Sequence, residues 1–207
     1  MYSPEGAQGG EKQYERGTLE NTIRIANAAR KLGAHFFWIG YDVFRSSYPK
    51  SPMDVSQYDS WEEPFADWDE KRREWDGELT PKLKELVRPE DVEMKEIAHQ
   101  SSFVATNLEW HLRRNNFQTI IFTGIHLDWC IEGNSRQARD LGYMPIVVGD
   151  ACSCRLIEED GPALHRIDTY FAPTLSTNAV IEIMDKVVAS KGGSPSDGKH
   201  ANGTINH

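Results

Sequence analysis

The sequence predicts a single α/β domain built on parallel strands, and three features carry that expectation. Short apolar runs at His35–Ile39, Ile120–Phe122 and Pro145–Gly149 have the length of buried strands. Segments with apolar residues at helical intervals separate them, the clearest being Leu19–Leu32 and Thr177–Ala189. Strands that alternate with helices in this way make parallel βαβ units.

Taken in order, residues 1–17 are rich in Gly, Glu and Gln and read as loop. In Leu19–Leu32 the residues Ile23, Ala26, Ala29 and Leu32 recur at helical spacing, and Gly33 follows as a C-cap. The His35–Ile39 strand then leads into a loop over 40–52 rich in aromatic and turn residues, at the carboxyl end of a parallel strand. Residues 54–78 read as an irregular excursion ending in a short helix, with Leu79–Val87 a connection and Val92–Met94 the next strand. Thr106–Asn115 reads as a helix with Leu108 and Leu112 on one face and Thr106 or Ser102 as its cap. After the strand at Ile120–Phe122, helical spacing of Ile131, Ala138 and Leu141 runs to the stop at Gly142. Pro145–Gly149 is a strand, Glu158–Ile167 a helix, Tyr170–Ala172 the last strand and Thr177–Ala189 the last helix. One domain over residues 1–189 is expected, with 190–207, rich in Gly, Ser, Asn and Lys, a disordered tail.

The chemistry concentrates where the Ile120–Phe122 strand gives way to a helix, in Gly124-Ile-His126-Leu-Asp-Trp129-Cys130. A cysteine in a first helical turn meets unpaired amides and the positive end of the helix dipole, which favour thiolate and can receive an oxyanion.

The stretch from about Val92 to Asp150 resembles the isochorismatase-like cysteine hydrolases, which include nicotinamidases, N-carbamoyl amide hydrolases and ureidoacrylate amidohydrolase. The motifs that carry the likeness are Phe103-Val-Ala-Thr106-Asn-Leu108 with Leu112, Gly124 through Cys130, Arg136-Gln-Ala138-Arg-Asp140-Leu-Gly142-Tyr143 and Val147-Val148-Gly149-Asp150-Ala151. The resemblance extends over most of Tyr2 to Val188. It implies a three-layer α/β/α fold with a mostly parallel, Rossmann-like sheet and a Cys-Asp-Lys triad. Cys130 takes the nucleophile's place, and the oxyanion hole falls to the backbone amides of His126 and Cys130. A cis peptide is implied at Ile125-His126. The family aspartate ends a first strand that lies mid-sheet, between the strands near Phe37 and Ile121. That strand would come just before a segment like Tyr2-Ser-Pro4-Glu-Gly6-Ala7; none precedes it here, so either this sequence begins late or the usual proton acceptor has been lost. For the lysine, position 97 at the usual spacing is isoleucine; Lys95 is the better candidate and His99 a second cation. Trp38, Tyr41, Phe44, His99, Phe103 and Trp129 are the expected pocket. The His126 side chain reads as a pocket wall.

Other motifs receive plainer readings. Cys152 and Cys154 form a Cys-x-Cys pair without two further ligands, so they read as structural and no metal is expected. The Asp-x-His arrangement through which some related nicotinamidases hold a metal is not matched in Trp38–Phe44, and no cofactor is expected. His165 reads as packing. Trp61, Trp68 and Trp75, spaced by seven, suggest one helical face with an interface or lid role, and a homo-oligomer is expected. Asn202-Gly-Thr204 has no secretory context.

Composition narrows the partners. A net charge of −9 over 207 residues argues against a nucleic-acid surface. No apolar run reaches membrane length, no leader is legible, and three cysteines suit a reduced, cytoplasmic setting. The expected partner is a small molecule, and the expected reaction is cleavage of a C–N bond in an amide or N-carbamoyl compound through a cysteine thioester. Two alternatives stand beside it: an inactive scaffold or binding subunit, and vinyl-ether hydrolysis of the isochorismatase type.

Overall fold

The computed structural model describes residues 5–7, 9, 13, 15–41, 52, 65–97 and 99–192. Helix α1 (Thr18–Leu32) is closed as expected by Gly33, at φ 80°, whose N–H donates to the carbonyls of Ala29 and Arg30. Strand β1 is Phe37–Tyr41 and β2 is Val92–Ile97. They pair in parallel with Phe37 opposite Val92 and Met94 opposite Ile39, and this partner moves β1 two residues beyond the run read from sequence. Between them lie α2 (Glu70–Gly77), capped by the Asp69 carboxylate accepting from Arg72 N–H, and the single turn α3 (Pro81–Lys84).

Helix α4 (Leu108–Arg114) begins two residues later than predicted, because the Thr106 hydroxyl receives the Leu108 N–H at 3.2 Å from outside the helix. Strand β3 (Thr119–Ile125) runs into a single π turn at Leu127–Ile131 and then α5 (Glu132–Asp140). Strand β4 (Met144–Ser153), a 3₁₀ turn at Ile157–Glu159, α6 (Asp160–Tyr170), β5 (Thr174–Leu175) and α7 (Thr177–Gly192) follow.

Two boundaries need correction. The Tyr170–Ala172 run is not the last strand: α6 extends through Tyr170, the N–H groups of Phe171 and Ala172 both return to the Ile167 carbonyl, and the strand begins beyond Pro173. There the Asp168 carboxylate takes both the N–H and the hydroxyl of Thr174. Helix α7 also continues to Gly192, so residues 190–192 are helical, and the remainder of the expected tail lies outside the described residues.

All pairings are parallel. Period-two alternation sends successive side chains to opposite faces. Val148 and Ile121 join Ile25 and Ala29 of α1 and Val180 and Met184 of α7 on one face. Val147 and Phe122 join α6, while Ile120 joins Leu108 and Leu112 of α4 and Ala138 of α5 on the other. The result is the expected three-layer α/β/α arrangement. Its central layer is divided, however, into a β1-β2 sheet and a β3-β4-β5 sheet. The division falls between Phe37 and Ile121, where the resemblance locates a further strand. The two parts share the same covering helices, since Ile25 of α1 packs with Phe36 and Ile121, and Leu108 and Leu112 of α4 pack with Phe37, Ile39 and Ile120. No described helix is long and apolar enough to cross a membrane.

Trp68 and Trp75 do not share a helical face. Trp68 precedes α2 and packs on Phe65, Trp75 lies within α2, and Arg72 lies over both indoles; Trp61 is outside the described residues.

Candidate active site

The turn that carries Cys130 is fixed by backbone geometry. β3 ends at Ile125, the Ile125-His126 peptide is cis, and the His126 carbonyl accepts from the N–H groups of Trp129 and Ile131. The sulfur of Cys130 receives the amides of His126 and of Cys130 itself. Two backbone donors therefore converge at the atom that would attack, in a π turn of the kind that recurs at functional sites. The His126 side chain is buried away from the cavity, with its ring edge-on to Trp129 and Nδ1 3.4 Å from Gln13 Nε2.

Asn134, one turn into α5, holds this turn against the loop after β2. Its amide nitrogen donates to the carbonyls of Cys130 at 2.7 Å and Gln100 at 3.1 Å, and its oxygen accepts from the N–H and hydroxyl of Ser102. Every hydrogen-bonding valence of the carboxamide is used. Sequence reasoning missed this residue, although its spacing of four from Cys130 was the available signal. It also missed Glu132, which is 7% exposed and paired with Arg136 and Arg166. Burial works against the Glu132 charge, but the two guanidinium groups more than offset it and hold the carboxyl below its usual range.

The expectation that the turn favours thiolate is corrected. Desolvation pushes the Cys130 thiol up to about 11; the amides of His126 and Cys130 pull it down, and the Asp128 carboxylate adds to the rise. Two amides alone do not outweigh burial beside a carboxylate.

A cavity of about 480 Å³ reaches Cys130 from between the two sheets. Of the expected pocket residues, Trp38, Tyr41 and His99 line it. Phe103 does not: it is buried 6.3 Å from the Tyr143 ring, beside Leu108 and Leu112. Trp129 is turned to His126 instead, and Phe44 lies outside the described residues. Lys95 is not brought to Cys130. It points outward, 75% exposed and 3.6 Å from Glu93, on the opposite side of β2 from buried Met94.

Cys152 and Cys154 are buried in the cluster between β4 and α6, and burial pushes both thiols up. The Cys154 N–H and carbonyl are held by Asp160 and Arg16. Among the described residues no group of three or more His, Cys, Asp or Glu side chains is placed to hold a metal ion. His165 is exposed on α6 rather than packed.

The parallel strands covered by helices on both faces, with Cys130 in the turn beyond the carboxyl end of β3, define a three-layer α/β/α protein. The chain belongs to the isochorismatase domain family, which matches residues 6–179. It is 26% identical over 179 residues to the N-carbamoylsarcosine amidase of an Arthrobacter species, covering 81% of this chain and 61% of that protein. It is 28% identical over 178 residues to the ureidoacrylate amidohydrolase RutB of Methylorubrum extorquens, covering 74% and 64%. The chain thus spans less than two thirds of the length of these curated relatives. Among solved structures, a cysteine hydrolase from Pseudomonas syringae pv. phaseolicola superposes with a TM-score of 0.75 at 20% identity, covering 89% of this chain and 87% of that one. A nicotinamidase from Bacillus subtilis gives 0.59 at 16% identity, covering 78% and 85%. At these identities the solved structures speak for the fold.

Proposed function

We propose that the protein is a hydrolase of C–N bonds in small amides or N-carbamoyl compounds, with Cys130 as nucleophile. The observation that carries this reading is the convergence of the His126 and Cys130 amides on the Cys130 sulfur at the mouth of a cavity. In this reading the thiolate attacks the carbonyl carbon, and the oxygen that gains charge is held by the same two amides. The C–N bond then breaks, the proton given up by the Cys130 thiol passes to the nitrogen, which leaves as ammonia or an amine, and a thioester remains on Cys130. Water hydrolyses it to the carboxylic or carbamic acid and returns the thiol. Of the two cations expected nearby, His99 lines the cavity and is given the supporting role; Lys95 lies outward. Relatives with amidase names support the substrate class.

The test is release of ammonia or amine from a panel holding N-carbamoyl amino acids, ureidoacrylate and nicotinamide. Cys130→Ala should lower turnover by about a thousandfold or more. Ammonia or amine release that survives this substitution would overturn Cys130 as the nucleophile. A specific observation supports the scaffold reading: the thiol at about 11 is mostly protonated near neutrality. No turnover on any amide, with Cys130 unreactive, would favour it. The reading includes a homo-oligomer, with exposed Trp110 and Tyr170 as candidate contacts, tested by sedimentation.

A further inference from the structure

The turn that carries Cys130 is held from behind by a side chain far away in sequence. The N–H of His126 is one of the two amides at the Cys130 sulfur, and its carbonyl accepts from Trp129 and Ile131, so several hydrogen bonds of the turn run through this one residue. Its side chain is buried, and so is that of Gln13, whose Nε2 lies 3.4 Å from His126 Nδ1 and donates to the Cys154 carbonyl at 3.3 Å.

The Cys154 carbonyl fixes which way round the Gln13 carboxamide sits. With the Gln13 oxygen in that place, acceptor would meet acceptor. The nitrogen therefore faces both the carbonyl and the imidazole. A carboxamide nitrogen only donates, so Nδ1 of His126 offers its lone pair. The ring proton is then on Nε2, and the ring is neutral. The carbonyl that decides this is itself anchored: it also accepts from Arg16 Nη2 at 2.7 Å, Arg16 pairs with Asp160 at 2.5 Å, and Asp160 accepts from the Cys154 N–H at 2.7 Å.

We propose that Gln13 is a positioning residue for the turn that faces Cys130: by donating to Nδ1 it selects the neutral Nε2–H tautomer of His126 and holds that residue's backbone amide against the Cys130 sulfur. Ring and amide leave the same Cα, and in a close-packed interior a shift of one carries the other. The consequence for turnover rests on the reading of Cys130 as a nucleophile, whereas the tautomer and the thiol's reactivity are read without turnover.

The experiment is isotope-edited NMR of the histidine ring nitrogens in the full chain, with the His126 signals assigned by their loss in His126→Gln. Near neutral pH, Nδ1 should carry no proton and Nε2 should carry one. A proton on Nδ1, as the other tautomer or as imidazolium, would overturn the proposal, and this arm needs no variant at Gln13. Gln13→Glu replaces the donor by a carboxylate, which calls for a proton on Nδ1, and the ring signals should change accordingly. Gln13→Met keeps the length of the side chain and removes the donor. In both variants iodoacetamide should label Cys130 at least about fivefold more slowly, because the amide that favours the thiolate is no longer held in place. Loss of stability in urea with the Cys130 rate unmoved would show that Gln13 only packs, and would overturn the proposal. If Gln13→Glu does not fold, the unaltered chain's tautomer and the Gln13→Met rate decide. Absence of amide hydrolysis in the unaltered chain, with tautomer and labelling rates as expected, would sink the proposed function and leave this assignment standing.

Discussion

Asn134 donates to the carbonyl of Cys130 at 2.7 Å, while its side-chain oxygen takes both the N–H and the hydroxyl of Ser102. One buried carboxamide thus sets the distance between the nucleophile's turn and the loop that follows β2. Replacing Asn134 by Ala leaves buried donors and acceptors without partners, and the cost should be about 1–3 kcal/mol in denaturant unfolding. The alkylation rate of Cys130 should change in the same variant. Unchanged stability would show that water replaces the carboxamide.

A second buried constraint is the pair of Arg30 with Asp91, whose carboxylate also accepts from the Trp38 indole at 2.8 Å and the Arg88 N–H at 3.0 Å. Side-chain exposures of 12% and 1% remove it from solvent screening. Asp91→Ala would leave a buried guanidinium unpaired and should cost about 3–5 kcal/mol. Urea unfolding measures this, and a loss below about 1 kcal/mol would contradict the assigned burial.

The same group fixes a dependence on acid. Burial opposes the Asp91 charge, but the hydrogen bonds from Arg30, Trp38 and Arg88 outweigh it, and its carboxyl lies below the usual value; Glu132 behaves likewise. A carboxyl with a lowered folded pKa binds fewer protons folded than unfolded near pH 4, so its contribution is complete above that region. It is lost as pH falls through the folded value. Stability should therefore be flat from about pH 5 to 7 and decline below about pH 4. In Asp91→Asn the decline should be shallower.

The cation is decided by paired substitutions. His99→Ala should abolish most amide turnover while Lys95→Ala leaves it, because only His99 lines the cavity. The reverse result would return the role to Lys95 and require its side chain to swing away from Glu93.

Much of this was legible in sequence, for identifiable reasons. Gly33 after a periodic segment marked the end of α1, and Leu108 and Leu112 at helical spacing face the core as read. The position of Cys130 beyond β3 followed from an apolar run, a glycine and renewed helical spacing. Local pattern misled at Tyr170–Ala172, where an apolar triplet belongs to a helix end and not to a strand. It also misled at Trp68 and Trp75, whose spacing matches one helix while α2 begins at Glu70. The thiol's rise depended on burial and on Asp128, which propensity does not report. Asn134 and Glu132 acquire partners 32 and 34 residues away in Ser102 and Arg166, and contacts at that separation leave no periodic trace.

The most direct measurement is peptide mapping of the native protein after timed exposure to iodoacetamide across pH 7 to 11. Cys130 stands at the cavity while Cys152 and Cys154 are buried, so Cys130 should label first at every pH. Its rate should climb with the thiolate fraction toward a midpoint near 11. Equal labelling of the three cysteines while the protein remains folded would contradict the assignment of Cys130 as nucleophile.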